Sequence, residues 1–244
     1  MTKKLEPKLE RLEKIMSRLG YGARRDVPHW IREGWLTVNG EKPKSASVKV
    51  YAGDVELDGE PLDHPFGLTV IYHKPLGTVC SRKEEGRIIF EDFPERWLDR
   101  KPPLSSVGRL DKETSGLLIV TDDGQLNHYL TSPKHHISKT YAVTLESPLK
   151  GDEVETFASG QLMLEADDKP CLPAELTITG EKTAQVVLHE GRYHQVRRMF
   201  AAIGNHVTSL KRTHTGNLSL ASLNLQEGEY QTIEVETLKQ LIGS

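Results

Sequence analysis

The chain has 244 residues, 36% of them hydrophobic and 27% charged, with a formal net charge of −3. This length and apolar share make it a folded globular protein with room for one large domain, or for a large and a small one. Its longest apolar runs, Leu68 to Tyr72 and Leu117 to Val120, are far too short to span a bilayer, and two unpaired cysteines, Cys80 and Cys171, support neither a disulfide framework nor a cysteine zinc site.

The first residues, Met1 to Lys8, have no hydrophobic stretch of the kind a secretion signal needs, so a cytoplasmic protein with reduced thiols is expected. Residues 1 to 50 carry 12 Lys and Arg against 6 Asp and Glu, while the remainder carries 20 against 29. A small basic module therefore precedes an acidic body. Leu9, Leu12, Met16 and Leu19 recur at helical spacing and Gly20 follows as a cap. A second helix is expected from Ala23 to Gly34, where Pro28 removes one helical hydrogen bond and predicts a late start or a kink. Trp35 to Val38, Val48 to Val50 and Val55 to Leu57 read as strands, with Asn39-Gly40 as a turn. His64-Pro65-Phe66 is the expected joint, dividing the chain into residues 1–66 and 67–244.

Beyond it, Leu68–Tyr72, Leu117–Thr121, Tyr141–Leu145, Ala174–Ile178 and Ala184–His189 are strand-like, and Gln125–Leu130, Gly151–Gly160 and Tyr193–Ile203 are helical. Strands outweigh helices without strict alternation, which predicts an α+β domain on a mixed or antiparallel sheet. The acids Asp152, Glu153, Glu155, Glu165, Asp167 and Asp168 read as a solvated face. Between 189 and 214, by contrast, Arg192, Arg197, Arg198, Lys211 and Arg212 oppose one acid, Glu190.

No phosphate-cradling glycine motif is present. His189-Glu190 and His194 resemble a zinc signature, but the second histidine stands five residues on rather than four, so no metal is expected; His135-His136 reads as a loop feature. Asp111 is harder to place. It lies among Gly108, Thr114, Ser115 and Gly116, just ahead of a buried-looking strand. One reading is local, an aspartate completing a turn. The other is an acid at a site, which desolvation would neutralise unless a cation lay close. On a helix over 193–203, Val196, Met199, Phe200 and Ile203 share an apolar face; Arg197 lies at its edge, able to reach inward or to snorkel, and Arg198 lies opposite. Tyr141 is in phase with Val143 and Leu145, as a core ring or as a stacking platform with a proton-active hydroxyl.

Gly108-Arg-Leu-Asp-Lys-Glu-Thr-Ser-Gly-Leu-Leu-Ile-Val-Thr-Asp-Asp-Gly124 resembles the catalytic motif of pseudouridine synthases. Tyr72-His-Lys-Pro-Leu-Gly77, Lys139-Thr-Tyr141 and Glu190-Gly-Arg-Tyr-His-Gln-Val-Arg-Arg-Met199 are similar to that superfamily's other motifs, in order, over roughly residues 68 to 240. Arg11-Leu-Glu-Lys14, Ala23-Arg-Arg25 and Ile31 to Gly40 resemble an S4 RNA-binding domain, with Glu13 where an aspartate is more usual. The two together are similar to the RsuA family of ribosomal RNA enzymes, and Thr131 to His136 before Lys139-Thr-Tyr141 resembles its small-subunit branch.

The resemblance implies a large pseudouridine-synthase-type mixed or antiparallel sheet domain preceded by a small S4-like α/β domain. It implies isomerisation, without cofactor, of a uridine of the 516 type in 16S rRNA, in an assembling small subunit, by a monomer. Asp111 would be the nucleophile on a flipped-out nucleotide, Tyr141 would stack on the base and assist proton movement, and Arg197 would pair with Asp111. Arg109, Lys74, Lys139, Arg192, Arg198, Lys211 and Arg212, with Arg24, Arg25 and Arg32 of the basic module, would contact RNA. A large-subunit 23S target and a non-catalytic rRNA-binding assembly factor are the alternatives.

Overall fold

The computed structural model describes residues 8 to 243; Met1 to Pro7, most of the stretch read as lacking a secretion signal, and Ser244 lie outside the described residues. The chain divides into two compact units. One holds the residues through Thr69 together with Phe90–Ser106 and Val120–Asn127; the other holds Val70–Ile89, Val107–Ile119 and the residues from His128 on.

The N-terminal elements are β1 (Glu10–Arg11), α1 (Leu12–Arg18), α2 (Val27–Glu33), β2 (Leu36–Val38), β3 (Lys49–Val50), β4 (Val55–Leu57) and β5 (Glu60–Pro61). Leu12, Ile15, Met16 and Leu19 fall on one face of α1 and are fully buried with Val27, Leu36 and Val55. Gly20 follows in the left-handed region at φ +83°, and a Cβ there would lie 2.3 Å from the Arg96 carbonyl oxygen, so the position requires glycine twice over. Pro28 introduces no kink. The turn Arg24–Asp26 precedes α2, and Pro28 stands in the first turn, where its missing N–H is not needed.

From residue 69 the elements are β6 (Thr69–Lys74), α3 (Glu95–Leu98), β7 (Ser105–Ser106), β8 (Ser115–Thr121), α4 (Gly124–Thr131), β9 (Lys139–Leu145), α5 (Glu153–Ala158), β10 (Glu175–Gly180), β11 (Thr183–Leu188), α6 (Gln195–Ala202), β12 (Val207–Thr215), β13 (Leu218–Ser219), β14 (Tyr230–Thr232) and α7 (Val235–Ile242). The large sheet runs β10-β11-β9-β12-β8-β6-β14, with β13 beside β12 and β7 beside β8. It is mixed: β12 pairs antiparallel with β9 and parallel with β8, through Lys211 and Arg212 against Ser115 and Gly116. At Gly116, with φ +116°, a Cβ would meet the Arg212 carbonyl oxygen at 2.2 Å, so only glycine lets β8 and β12 approach. The expected apolar face of α6 forms as read: Val196, Met199 and Phe200 are buried, with Phe157 of α5 against Phe200 at 5.0 Å between ring centroids.

Within the N-terminal unit the expected joint is fastened. Asp63 accepts from Trp97 Nε1 at 2.6 Å and Arg96 Nη2 at 2.5 Å, and these bonds outweigh the cost of its partial burial to hold its carboxyl below the usual range. Arg100 donates to Asp122 and to the His64 carbonyl, both at 2.9 Å. Among the acids expected to be a solvated face, Glu153 is instead buried and accepts from the backbone N–H groups of Lys150 and Gly151, which more than offset the burial that would raise its pKa. No helix among the described residues is long and apolar enough to cross a membrane.

Candidate active site

The loop that carries Asp111 is fastened through its backbone. The Asp111 carbonyl accepts from Thr114 N–H at 3.0 Å, closing a turn. The Lys112 carbonyl accepts from Gly77 N–H at 2.9 Å, the Glu113 carbonyl from Arg197 Nη2 at 2.6 Å, and the Thr114 carbonyl from Lys74 Nζ at 3.0 Å. The buried Cys80 thiol donates to the Leu110 carbonyl at 3.4 Å. With the main chain held at each of these residues, the Asp111 carboxylate is left to face a pocket of ≈ 590 Å³. Gly108, Arg109, Leu110, Lys139, Tyr141 and Arg212 contribute to its lining, as do the segments 130–133 and 188–196.

Two site expectations are corrected. First, Asp111 does not pair with Arg197. Its side chain is 32% exposed, and its Oδ1 lies 3.4 Å from His194 Nε2. The Arg197 guanidinium is used on the carbonyls of Glu113 and Val207, the latter at 3.1 Å. Second, Lys74 is fully buried and cannot reach RNA; Nζ donates to the Pro75 and Thr114 carbonyls, each at 3.0 Å. Burial pushes its pKa below the ordinary lysine value, against smaller opposing effects from Cys80 and Asp111. Arg192 and Arg198, expected to contact RNA, are both bonded within their own chain and keep part of their side-chain surface exposed. Arg192 holds Asp167 at 2.9 Å, Glu190 at 3.0 Å and the Pro170 carbonyl at 2.5 Å, while Arg198 holds Asp167 at 2.7 Å and the Glu165 carbonyl. These two arginines, before any effect of burial, keep the Asp167 carboxyl below its usual range, so Asp167 is part of an ion-pair network and not of a merely solvated face.

The remaining residues fall as follows. Tyr141 packs against the core cluster and also lines the pocket. Lys139 lines the pocket with Nζ on the Ile137 carbonyl at 3.2 Å; burial, then the charge of Arg212, lowers its pKa. Arg212 is nearly buried, its Nε donating to the Leu117 carbonyl at 2.7 Å, so it borders the pocket from within the sheet. Arg109 is mostly exposed and pairs with Glu84 at 2.9 Å. Lys211 lies partly buried on β12 and is not among the pocket's lining residues. Arg24, Arg25 and Arg32 are exposed on the N-terminal unit, where Lys14, Arg18, Arg24 and Lys101 line a separate cleft of ≈ 710 Å³. Sequence reasoning passed over His194 because it was weighed only as a metal ligand; among the described residues no group of three or more His, Cys, Asp or Glu could hold a metal ion.

A family model described as RNA pseudouridylate synthase matches residues 68–202, more than half the chain. The chain belongs to the RNA pseudouridylate synthase family. An S4 domain model matches residues 10–56 ahead of it. The chain is 38% identical to ribosomal small subunit pseudouridine synthase A of Escherichia coli strain K12 over 95% of its length and 100% of the relative's. It is 37% identical to the protein of the same name from Haemophilus influenzae, over 95% and 99%. A crystal structure described as pseudouridylate synthase superposes with a TM-score of 0.66 at 36% identity, covering 95% of this chain and 99% of the other. This pseudouridine synthase is therefore an isomerase, and the reading of it as a non-catalytic binder falls away.

Proposed function

We propose that this synthase isomerises one uridine of ribosomal RNA, in 16S rRNA of an assembling small subunit and of the 516 type, to pseudouridine. The observation that carries the mechanism is the Asp111 carboxylate, presented to an open pocket by a loop whose backbone is held at every residue from 110 to 114. Asp111 attacks the target nucleoside as the bond from the sugar C1′ to uracil N1 breaks. The detached uracil turns, C1′ bonds to C5 as its bond to the Asp111 oxygen breaks, the C5 hydrogen leaves to solvent and N1 takes up a proton, so atoms balance without a cofactor. Tyr141 stacks on the base and assists that proton movement, and Arg197 acts through the Glu113 carbonyl to hold the loop in place.

Arg109, Lys139 and the inner edge of Arg212 hold the extruded nucleotide, whose unstacking costs a few kcal/mol. Arg24, Arg25 and Arg32 meet RNA phosphates from the S4 domain. The names of the relatives and the stretch Thr131 to His136 support the small-subunit target over a large-subunit one, and a soluble, cytoplasmic monomer fits this role. The test is release of tritium from C5-labelled 16S rRNA, followed by mapping of the modified base. Modification at a single small-subunit uridine is expected; release from 23S rRNA alone would overturn the assignment.

A further inference from the structure

Tyr193 is 68% exposed, the most exposed large apolar side chain among the described residues, and it stands on the lining of the pocket that Asp111 faces. Its ring stacks on that of His194, with centroids 3.8 Å apart and planes at 17°. The next contact is His194 Nε2 to Asp111 Oδ1, so an unbroken path leads from a solvent-facing aromatic ring to the carboxylate. The pair does not float. His194 holds φ +48° at the N-terminus of α6, and the Tyr193 carbonyl accepts from Arg198 Nη1 at 3.2 Å, on an arginine itself tied to Asp167. A core role would bury the tyrosine ring, and a merely solvated loop would leave it without a stacked neighbour.

We propose that the Tyr193–His194 pair is a stacking platform for the unpaired RNA base next to the nucleotide held in the pocket. This rests on reading Asp111 as the nucleophile. The target uracil has Tyr141, a partly buried ring within the same pocket, whereas Tyr193 offers its open face at the rim, where the strand must pass. Any base has a face to stack, so such a contact fixes register and favours particular neighbours weakly.

The experiment uses a ribosomal RNA fragment on which the unaltered protein releases tritium, made intact, abasic at the 5′ neighbour and abasic at the 3′ neighbour. Tyr193→Ala is expected to lower kcat/KM on the intact RNA by about 5- to 100-fold, with Tyr193→Phe restoring most of it. One of the two abasic RNAs should show the same loss with unaltered protein and no further loss with Tyr193→Ala. An equal effect of Tyr193→Ala on all three RNAs, or none on the intact one, overturns the proposal. Binding of RNA with 2-aminopurine at that neighbour to the Asp111→Asn protein should quench the probe, and adding Tyr193→Ala should abolish the quenching; a signal indifferent to Tyr193 counts against the platform. Should Asp111→Asn still release tritium, the nucleophile is misassigned, and the quenching result stands or falls separately.

Discussion

Arg100→Met tests the fastening of the N-terminal unit. The Arg100 side chain is 1% exposed and that of Asp122 9%. Arg100 Nε and Nη2 both reach Asp122 Oδ2 at 2.9 Å, and the guanidinium also serves the carbonyls of His64 at 2.9 Å and Asp63 at 3.4 Å. Methionine fills much of the same volume but donates nothing. Asp122 then keeps the Leu68 N–H at 2.8 Å and loses its counter-charge, while the His64 carbonyl loses the guanidinium. Breaking a buried pair in this way costs about 3–5 kcal/mol, because the charge left behind is desolvated and uncompensated. With a urea slope of about 2–3 kcal/mol/M, the midpoint should fall by about 1–2.5 M. All three tryptophans, Trp30, Trp35 and Trp97, belong to this unit, so their fluorescence reports its unfolding directly. Lys14→Met is the internal control: the Lys14–Glu10 pair has a lysine side chain 54% exposed and should be worth less than about 1 kcal/mol. If Arg100→Met costs no more than Lys14→Met, the unit is not fastened there.

Lys74→Met should change how stability depends on pH. Because the folded-state pKa of Lys74 is lowered, the unfolded chain binds more protons between that pKa and the ordinary lysine value, so stability rises with pH through this alkaline window. The difference between the unaltered and Lys74→Met curves should carry that slope; parallel curves would refute it. Gly116→Ala should cost about 2–5 kcal/mol in thermal unfolding, from a strained φ and a Cβ 2.2 Å from the Arg212 carbonyl oxygen, whereas Gly77→Ala, strained at φ +79° but with open space around it, should cost about 1 kcal/mol. Arg197→Lys should reduce kcat more than RNA affinity, since one ammonium cannot span the Glu113 and Val207 carbonyls as the guanidinium does; a loss confined to KM would contradict its positioning role.

Local pattern made much of this fold readable. The apolar spacing of α1, the alternation in β9 and the amphipathic face of α6 each reappear in the core, because each depends on residues a turn or a pleat apart. β12 was not readable. It lies between β9 and β8 in the large sheet, yet its residues Lys211, Arg212, Thr213 and His214 give it the polarity of a loop. The packing of Phe90–Ser106 with the N-terminal residues left no local trace either, since Asp63 and Arg96 are joined across 33 positions. At the site, the sequence singles out Asp111, Tyr141 and Arg197 as candidates but does not show how they are related. The helix wheel left Arg197 able to reach inward or to snorkel; in the structure it is partly buried and its donors reach the Glu113 and Val207 carbonyls. His194, which touches Asp111, was dismissed on a spacing argument that concerned only metals.

Asp111→Asn tests the central claim most directly, by tritium release from C5-labelled RNA measured beside RNA binding by the same protein. The account predicts that release is abolished while affinity changes by less than about tenfold, since asparagine keeps the shape and removes the attacking charge. Full release from the asparagine protein, or lost binding with undiminished release per bound RNA, would contradict it.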